Sequence, residues 1–375
     1  MAPRKHRCFL TLAFSLSIFS LWPLWLACSR RASPPRAYLA FVANQGSDSI
    51  AVVDLARFRV LVTLPVAPSP QQVLRRPGSS ELYALSAQGT ISVVAFPALH
   101  VVKTLHVGRS ARHLVFTPDG EHAFVLGPAP GEIVFLACDP IRELARVGLG
   151  VQLSNLALTP DGKTLVAAAS AANRLFLVGV DSQKPLASIA VGQGPGPMVI
   201  LPDGSRAFVA DTGEAKISAV DIASRQILSH LEIGNAPGAL VLKPDGGELF
   251  VLSAQAATMT IVDASHDNVE EIVPTGRQPM AATSRQDSSV LYIASAGDGS
   301  VSTFDVQNRV VLASTHVGGE PCALALTPDE RFLAVADCGS GSLTVIRADR
   351  STLLTTIPVG VRPTDVTVPD WTWEK

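Results

Sequence analysis

Residues 318–360 read GGEPCALALTPDERFLAVADCGSGSLTVIRADRSTLLTTIPVG. Four short apolar runs stand out in this stretch: Cys322–Leu326, Phe332–Ala336, Leu343–Ile346 and Leu353–Val359. They are rich in Val, Leu, Ile and Phe, and a Pro-Asp pair, a Gly-Ser-Gly step and a polar bend separate them. No run has the length or the spacing of a helix, so the stretch predicts four short strands joined by hairpins.

The pattern repeats outward from this copy. Gly108, Gly150, Gly192, Gly234, Gly276, Gly318 and Gly360 stand 42 residues apart. A second marker follows in most intervals: Thr117-Pro118-Asp119-Gly120, Thr159-Pro160-Asp161-Gly162, Pro202-Asp203-Gly204, Pro244-Asp245-Gly246, a degenerate Gln286-Asp287, and Thr327-Pro328-Asp329-Glu330. Proline presets φ for the first turn position, aspartate bonds the backbone beyond it, and glycine takes the positive φ that follows. The 42-residue glycines are expected to supply a similar freedom where the chain crosses between units. A fixed period of this length marks one supersecondary unit copied in series. Four antiparallel strands per unit of this size is the period of an all-β propeller, each unit a blade around a central axis.

Units beginning near Tyr38, Leu82, Ala123, Leu165, Ala207, Leu249, Leu291 and Phe332 each supply the last three strands of a blade. Innermost strands are expected near residues 72–75, 112–116, 154–158, 197–201, 238–242, 280–283, 322–326 and 364–368. Both counts give eight. The chain starts without an inner strand and ends with a spare one, so the last strand is expected to complete the first blade and remove the open edges. The expectation is a single closed ring of eight four-stranded blades. The alternative is seven blades plus one degenerate unit. Trp371-Thr372-Trp373 alternates like a strand and is expected to cap the seam.

Phe41-Val42-Ala43-Asn44, Ser49-Ile50-Ala51-Val52-Val53-Asp54 and Ile357-Pro358-Val359-Gly360 resemble the YVTN-type β-propeller repeat of YncE-like and surface-layer proteins. Strand-closing aspartates recur at Asp221, Asp263 and Asp305, and one position off at Asp54. The resemblance covers residues 37–369. It is specific for fold and weak for function, because one fold hosts many activities.

Arg4, Lys5, His6 and Arg7 precede an almost wholly apolar stretch, residues 8–27, which ends at Cys28. That is the layout of an export signal. It resembles a bacterial lipoprotein signal, which implies removal of residues 1–27, lipidation of Cys28, a spacer over 28–36 and a place in the cell envelope. Ser29 after the cysteine implies the outer membrane. Trp25 and Leu26 depart from that pattern, and a retained membrane anchor or plain secretion stays open. The propeller is then expected over 37–370, with a tail over 371–375.

Net charge is −2, and no polybasic run follows the N-terminus, so nucleic-acid binding is not expected. Setting aside Cys8 and Cys28 leaves Cys138, Cys322 and Cys338. Cys322 and Cys338 flank a hairpin turn, where a cross-strand disulfide or two unpaired core cysteines fit equally.

Motifs for covalent haem, a zinc protease or a hydrolase elbow are missing. Gly192-Gln193-Gly194-Pro195-Gly196 lacks the lysine of a phosphate loop. His100, His106, His113 and His122 read as loop histidines, so neither a metal nor a cofactor is expected. One face is nevertheless marked. The crossings between blades and the hairpins between second and third strands open at the same end of the axis. These crossings and hairpins are expected to bring Asn44, Arg109, Arg112, His113, Asp211, Arg277, Glu320, Asp337, Arg362 and Asp365 to a funnel mouth. Arg112-His113 replaces Gly196-Pro197, Gly238-Ala239 and Cys322-Ala323 at the start of an inner strand.

The expected function is an envelope-anchored, non-enzymatic binding scaffold whose funnel face meets a protein, peptide or glycan, with the membrane reached through the lipid anchor. Aromatic residues total 6%, few for a sugar platform. The resemblance keeps a second class open, because related propellers include lactonases, quinoprotein dehydrogenases and haem-d1 domains. A structural surface component is a third.

Overall fold

The computed structural model describes residues 38–127 and 131–371, all within one compact unit, Arg36–Lys375. The export signal, Cys28 and the spacer over 28–36 lie outside the described residues, as does the tail from Thr372 onward. Among the described residues thirty-two strands form eight four-stranded antiparallel sheets. The fold is an eight-bladed β-propeller, and the seven-blade alternative is set aside.

Blade 1 combines Leu39–Asn44, Ser49–Asp54 and Arg59–Pro65 with the C-terminal strand Pro363–Thr367 as its innermost member. Phe41 lies opposite Thr367, Val42 opposite Val366 and Ala43 opposite Asp365. Blades 2 to 8 are each continuous in sequence. Their innermost strands are Pro70–Arg75, Arg112–Phe116, Asn155–Leu158, Pro195–Ile200, Ala239–Leu242, Pro279–Ser284 and Pro321–Leu326.

The core lies between blades. Eight apolar clusters fill the eight junctions; one joins Tyr83 and Leu85 of blade 2 to Val125 and Leu136 of blade 3, and another joins Val42 of blade 1 to Ala334 of blade 8. Second and third strands meet a neighbour on both faces, so runs such as Leu249–Leu252 are buried throughout. Outer strands alternate, as in Gln226–Glu232, because their far face meets water.

The turn chemistry is local. The Thr117 hydroxyl donates to Asp119 at 2.5 Å and accepts from the His122 N–H at 3.0 Å, and Asp119 accepts from the Glu121 N–H at 2.9 Å. Thr159-Asp161 and Thr327-Asp329 repeat this wiring. Asp54, Asp221, Asp263 and Asp305 accept main-chain N–H groups of the turns they open.

The 42-residue glycines do not all serve one purpose. Gly108, Gly150, Gly234 and Gly360 do take positive φ, and a Cβ on Gly360 would also stand 2.7 Å from the Asn44 amide. Gly192, Gly276 and Gly318 do not; there a Cβ would stand 2.3 Å from Asp211 Oδ2, 2.6 Å from Ser295 Oγ and 2.5 Å from Asp337 Oδ2. The expectation of backbone freedom fails at these three, where room for a neighbouring side chain is what requires glycine. Trp371 is not in a strand. It stacks on Phe96 at 4.8 Å, meets Phe41 edge-on at 6.0 Å and lies under Arg75, over the joint of blades 1 and 2.

Candidate functional site

Crossings and second-to-third hairpins share one face, and main-chain bonds latch them together. Gln45 and Gly46 donate to the carbonyls of Arg362 and Val361, Ala296 to Gln278, and Cys338 to Glu320. Gln278, Glu320 and Arg362 take positive φ, which turns these carbonyls toward the hairpins.

Two successive positions open each inner strand, and the strand registers align them around the axis. Blades 1 to 4 carry Thr364-Asp365, Gln71-Gln72, Arg112-His113 and Ser154-Asn155. Blades 5 to 8 carry Gly196-Pro197, Gly238-Ala239, Met280-Ala281 and Cys322-Ala323. The funnel rim is therefore polar on one half and small or apolar on the other.

The polar half is stitched blade to blade. Thr364 donates to the Pro70 carbonyl at 3.2 Å, and Asp365 accepts from the Val73 N–H at 2.8 Å. Gln71 donates to the Ala111 carbonyl at 2.6 Å, while Gln72 accepts from Leu114 N–H at 2.8 Å and returns a bond to its carbonyl at 3.3 Å. His113 bonds the main chain at Ser154, and Ser154 donates to the Pro195 carbonyl at 2.7 Å. Burial pushes the Asp365 carboxyl up to about 7, against the two main-chain N–H groups it receives. Burial, and then the neighbouring Arg112 charge, lowers the His113 pKa.

The expected face residues separate accordingly. Arg112, His113 and Asp365 line a central cleft of about 730 Å³ with Gln45, Gln71, Gln72 and Thr364 on one side and Ala281, Ala282, Ala323 and Leu324 on the other. Glu320 and Arg362 line an adjoining cleft of about 920 Å³ with Met280 and Cys322–Cys338, which the structure joins as a disulfide with Cα atoms 6.0 Å apart. Arg277 is exposed but held by Asp298 at 2.6 Å. Arg109, Arg112 and Arg362 are exposed, and their guanidinium groups have no hydrogen-bond or ion-pair partner among the described residues.

Asn44, Asp211 and Asp337 are not presented to the funnel. All three are fully buried at the ends of second strands. Asn44 donates to the Val359 carbonyl at 3.0 Å. Asp337 accepts from Thr344 at 2.6 Å and Ser342 at 3.0 Å. Asp211 accepts from Ser218 at 2.7 Å. Burial pushes both carboxyls up to about 6, against those hydroxyl donors. Ser218 also meets His230 Nδ1 at 3.0 Å, which places Asp, Ser and His in one chain. The order is wrong for a hydrolase: the carboxylate holds the hydroxyl instead of the imidazole, and the hydroxyl is buried.

The histidines do not converge. His100 and His106 stand at the two ends of the outer strand of blade 2, His122 opens a strand of blade 3, and of the four His113 lines the central cleft. Among the described residues no three His, Cys, Asp or Glu side chains gather as a metal site. Sequence reading passed over Gln71, Gln72, Thr364 and Ser154. Aligning all eight inner-strand starts shows the signal, because polar pairs occupy the first four blades.

The sequence model of a family described as YNCE-like beta-propeller matches residues 76–373. No curated protein matches the sequence. Among solved structures, dihydro-heme d1 dehydrogenase NirN in complex with DHE superposes with a TM-score of 0.76 at 16% identity, covering 89% of this chain and 77% of that one. Apo AztD from Citrobacter koseri gives 0.70 at 14% identity, covering 89% and 98%. A functionally unknown protein from Desulfotomaculum acetoxidans gives 0.60 at 14%, covering 88% and 98%. At these identities the likeness is one of fold.

Proposed function

Because the chain belongs to the YncE-like β-propeller family, whose fold does not dictate an activity, we propose that it is a non-enzymatic binding module that uses the funnel mouth. The observation that carries this reading is the set of unpaired arginines, Arg109, Arg112 and Arg362, at the rim of built clefts. A concave site with a few placed polar groups on a rigid ring suits recognition of a ligand or partner. The proposed setting is the bacterial envelope, with Cys28 lipidated and residues 1–27 removed, and with a protein, peptide or glycan as partner.

Crosslinking capture from intact envelopes tests it, using the wild type beside Arg109→Ala, Arg112→Ala, Arg362→Ala together. A partner that the wild type captures and the variant loses supports the reading. Identical capture by both proteins refutes it. An enzymatic reading has one observation in its favour, His113 facing the funnel in a fold like that of NirN. Colour in the purified protein, or turnover of a lactone panel lost in His113→Ala, would replace the binding reading with it.

A further inference from the structure

We infer that the central cleft takes an amphipathic anion, its charged group held by Arg112 with Arg109 beside it, and its apolar body laid against blades 7 and 8. This rests on the funnel-binding reading and names the ligand class. The cleft of about 730 Å³ has the size of a small-molecule site. Its two walls differ in kind: Gln71, Gln72 and Arg112 face Ala281, Ala323 and Leu324. A wholly polar ligand leaves the alanine wall wet, and a wholly apolar one strands the Arg112 guanidinium, since Gln71 and Gln72 already bond the main chain.

Charge selects the sign. Two cations of this face are neutralised, Arg277 by Asp298 and Lys216 by Glu214 and Glu232. The Arg112 guanidinium, like those of Arg109 and Arg362, has no acidic partner among the described residues. A second cleft of about 620 Å³, lined by Arg109 and His106 with Thr90, adjoins the first at Ala87 and Ser110 and contains no acid. The one carboxylate lining the central cleft, Asp365, already accepts the Val73 and Val366 N–H groups, one on each oxygen. A guanidinium whose fork is free binds a carboxylate, sulfonate or phosphate through paired, charge-assisted hydrogen bonds.

The test uses 8-anilinonaphthalene-1-sulfonate, its uncharged analogue N-phenyl-1-naphthylamine, and inorganic sulfate as competitor, read by fluorescence titration on the protein with its signal segment removed. The sulfonate dye is expected to bind at least about tenfold more tightly than the neutral one, the scale of a hydrogen bond to a charged group. Arg112→Ala is expected to remove that advantage, Arg112→Lys to restore part of it, and Lys103→Ala on an outer strand to leave it intact. Sulfate is expected to compete only far above the dye concentration. Equal affinity for both dyes, no effect of Arg112→Ala, or sulfate competing at dye concentrations overturns the inference. If that happens while envelope capture still depends on the arginines, only the ligand class falls. If capture fails too, the funnel reading falls with it.

Discussion

Gly318→Ala tests why glycine recurs every 42 residues. Gly318 has no left-handed φ, so the added methyl group acts by contact alone. Its Cβ would stand 2.5 Å from both Asp337 Oδ2 and Ser340 Oγ. Asp337 has no room to withdraw, being fully buried and held by Thr344 at 2.6 Å and Ser342 at 3.0 Å. Overpacking of this kind costs about 1–3 kcal/mol, and weakening the bonds to a carboxylate adds to it. The expected loss is therefore about 2–3 kcal/mol, or a fall in Tm of roughly 5 °C. Gly148→Ala is the control, because nothing lies within 4 Å of its Cβ and its φ is ordinary; it should be neutral or stabilise by about 0.5 kcal/mol. Blade 4 shows the way to rescue. Ala169 holds the place of Asp337 there, and a Cβ on Gly150 meets nothing within 4 Å. Gly318→Ala combined with Asp337→Ala should therefore recover at least about 1 kcal/mol relative to the sum of the single losses. Guanidinium midpoints by circular dichroism, with refolding checked, read the wild type, the three single variants Gly318→Ala, Gly148→Ala and Asp337→Ala, and the double variant. Equal stability of Gly318→Ala and Gly148→Ala, or strict additivity in the double variant, refutes the steric account.

Asp211 and Asp337 titrate near 6, above the usual ~4 of an unfolded aspartate. Their contribution to stability is full below the unfolded value and is lost as pH rises through 6, so Asp211→Asn and Asp337→Asn should flatten the stability profile between about pH 4 and 7. Turn residues Asp119 and Asp161, lowered by the Thr117 and Thr159 hydroxyls, act in the opposite sense and lose their contribution only in stronger acid; denaturation midpoints across pH separate the two groups. Gln72→Ala should cost about 1–3 kcal/mol by stripping Leu114 N–H of its acceptor, whereas Arg112→Ala should leave Tm unchanged, by thermal melts of both. Trp371→Ala should lower Tm by opening the joint of blades 1 and 2, with an unfolding rate measured in guanidinium that rises while the secondary structure at low denaturant stays intact.

Much of the fold was legible because its determinants are local. The Pro-Asp-Gly turns and the closing aspartates act within a few residues, so a copied turn gives a copied strand boundary. Inner-strand starts fell within two residues of expectation in every blade. The funnel was only half legible. The exposure of residues at the crossings and strand starts, such as Arg109, Arg112 and Arg362, was readable from their place in the repeat. Asn44, Asp211 and Asp337 looked like their equals, yet they end strands that pack between blades. Polarity alone does not tell a buried strand end from a solvated loop.

By itself the sequence determined the period, the strand class, the number of blades and the end of the axis that carries the crossings. These follow from φ preferences and from apolar runs whose meaning does not depend on distant residues. Tertiary structure decided which polar groups remain free. Asp365 is quenched by Val73, 292 positions away, and that contact exists only because the last strand closes the first blade. Arg277 and Arg112 are the same residue type in the same face, and only the proximity of Asp298 to one of them separates an ion pair from an unpaired guanidinium. Ring closure and blade packing set those distances, and no local pattern encodes them.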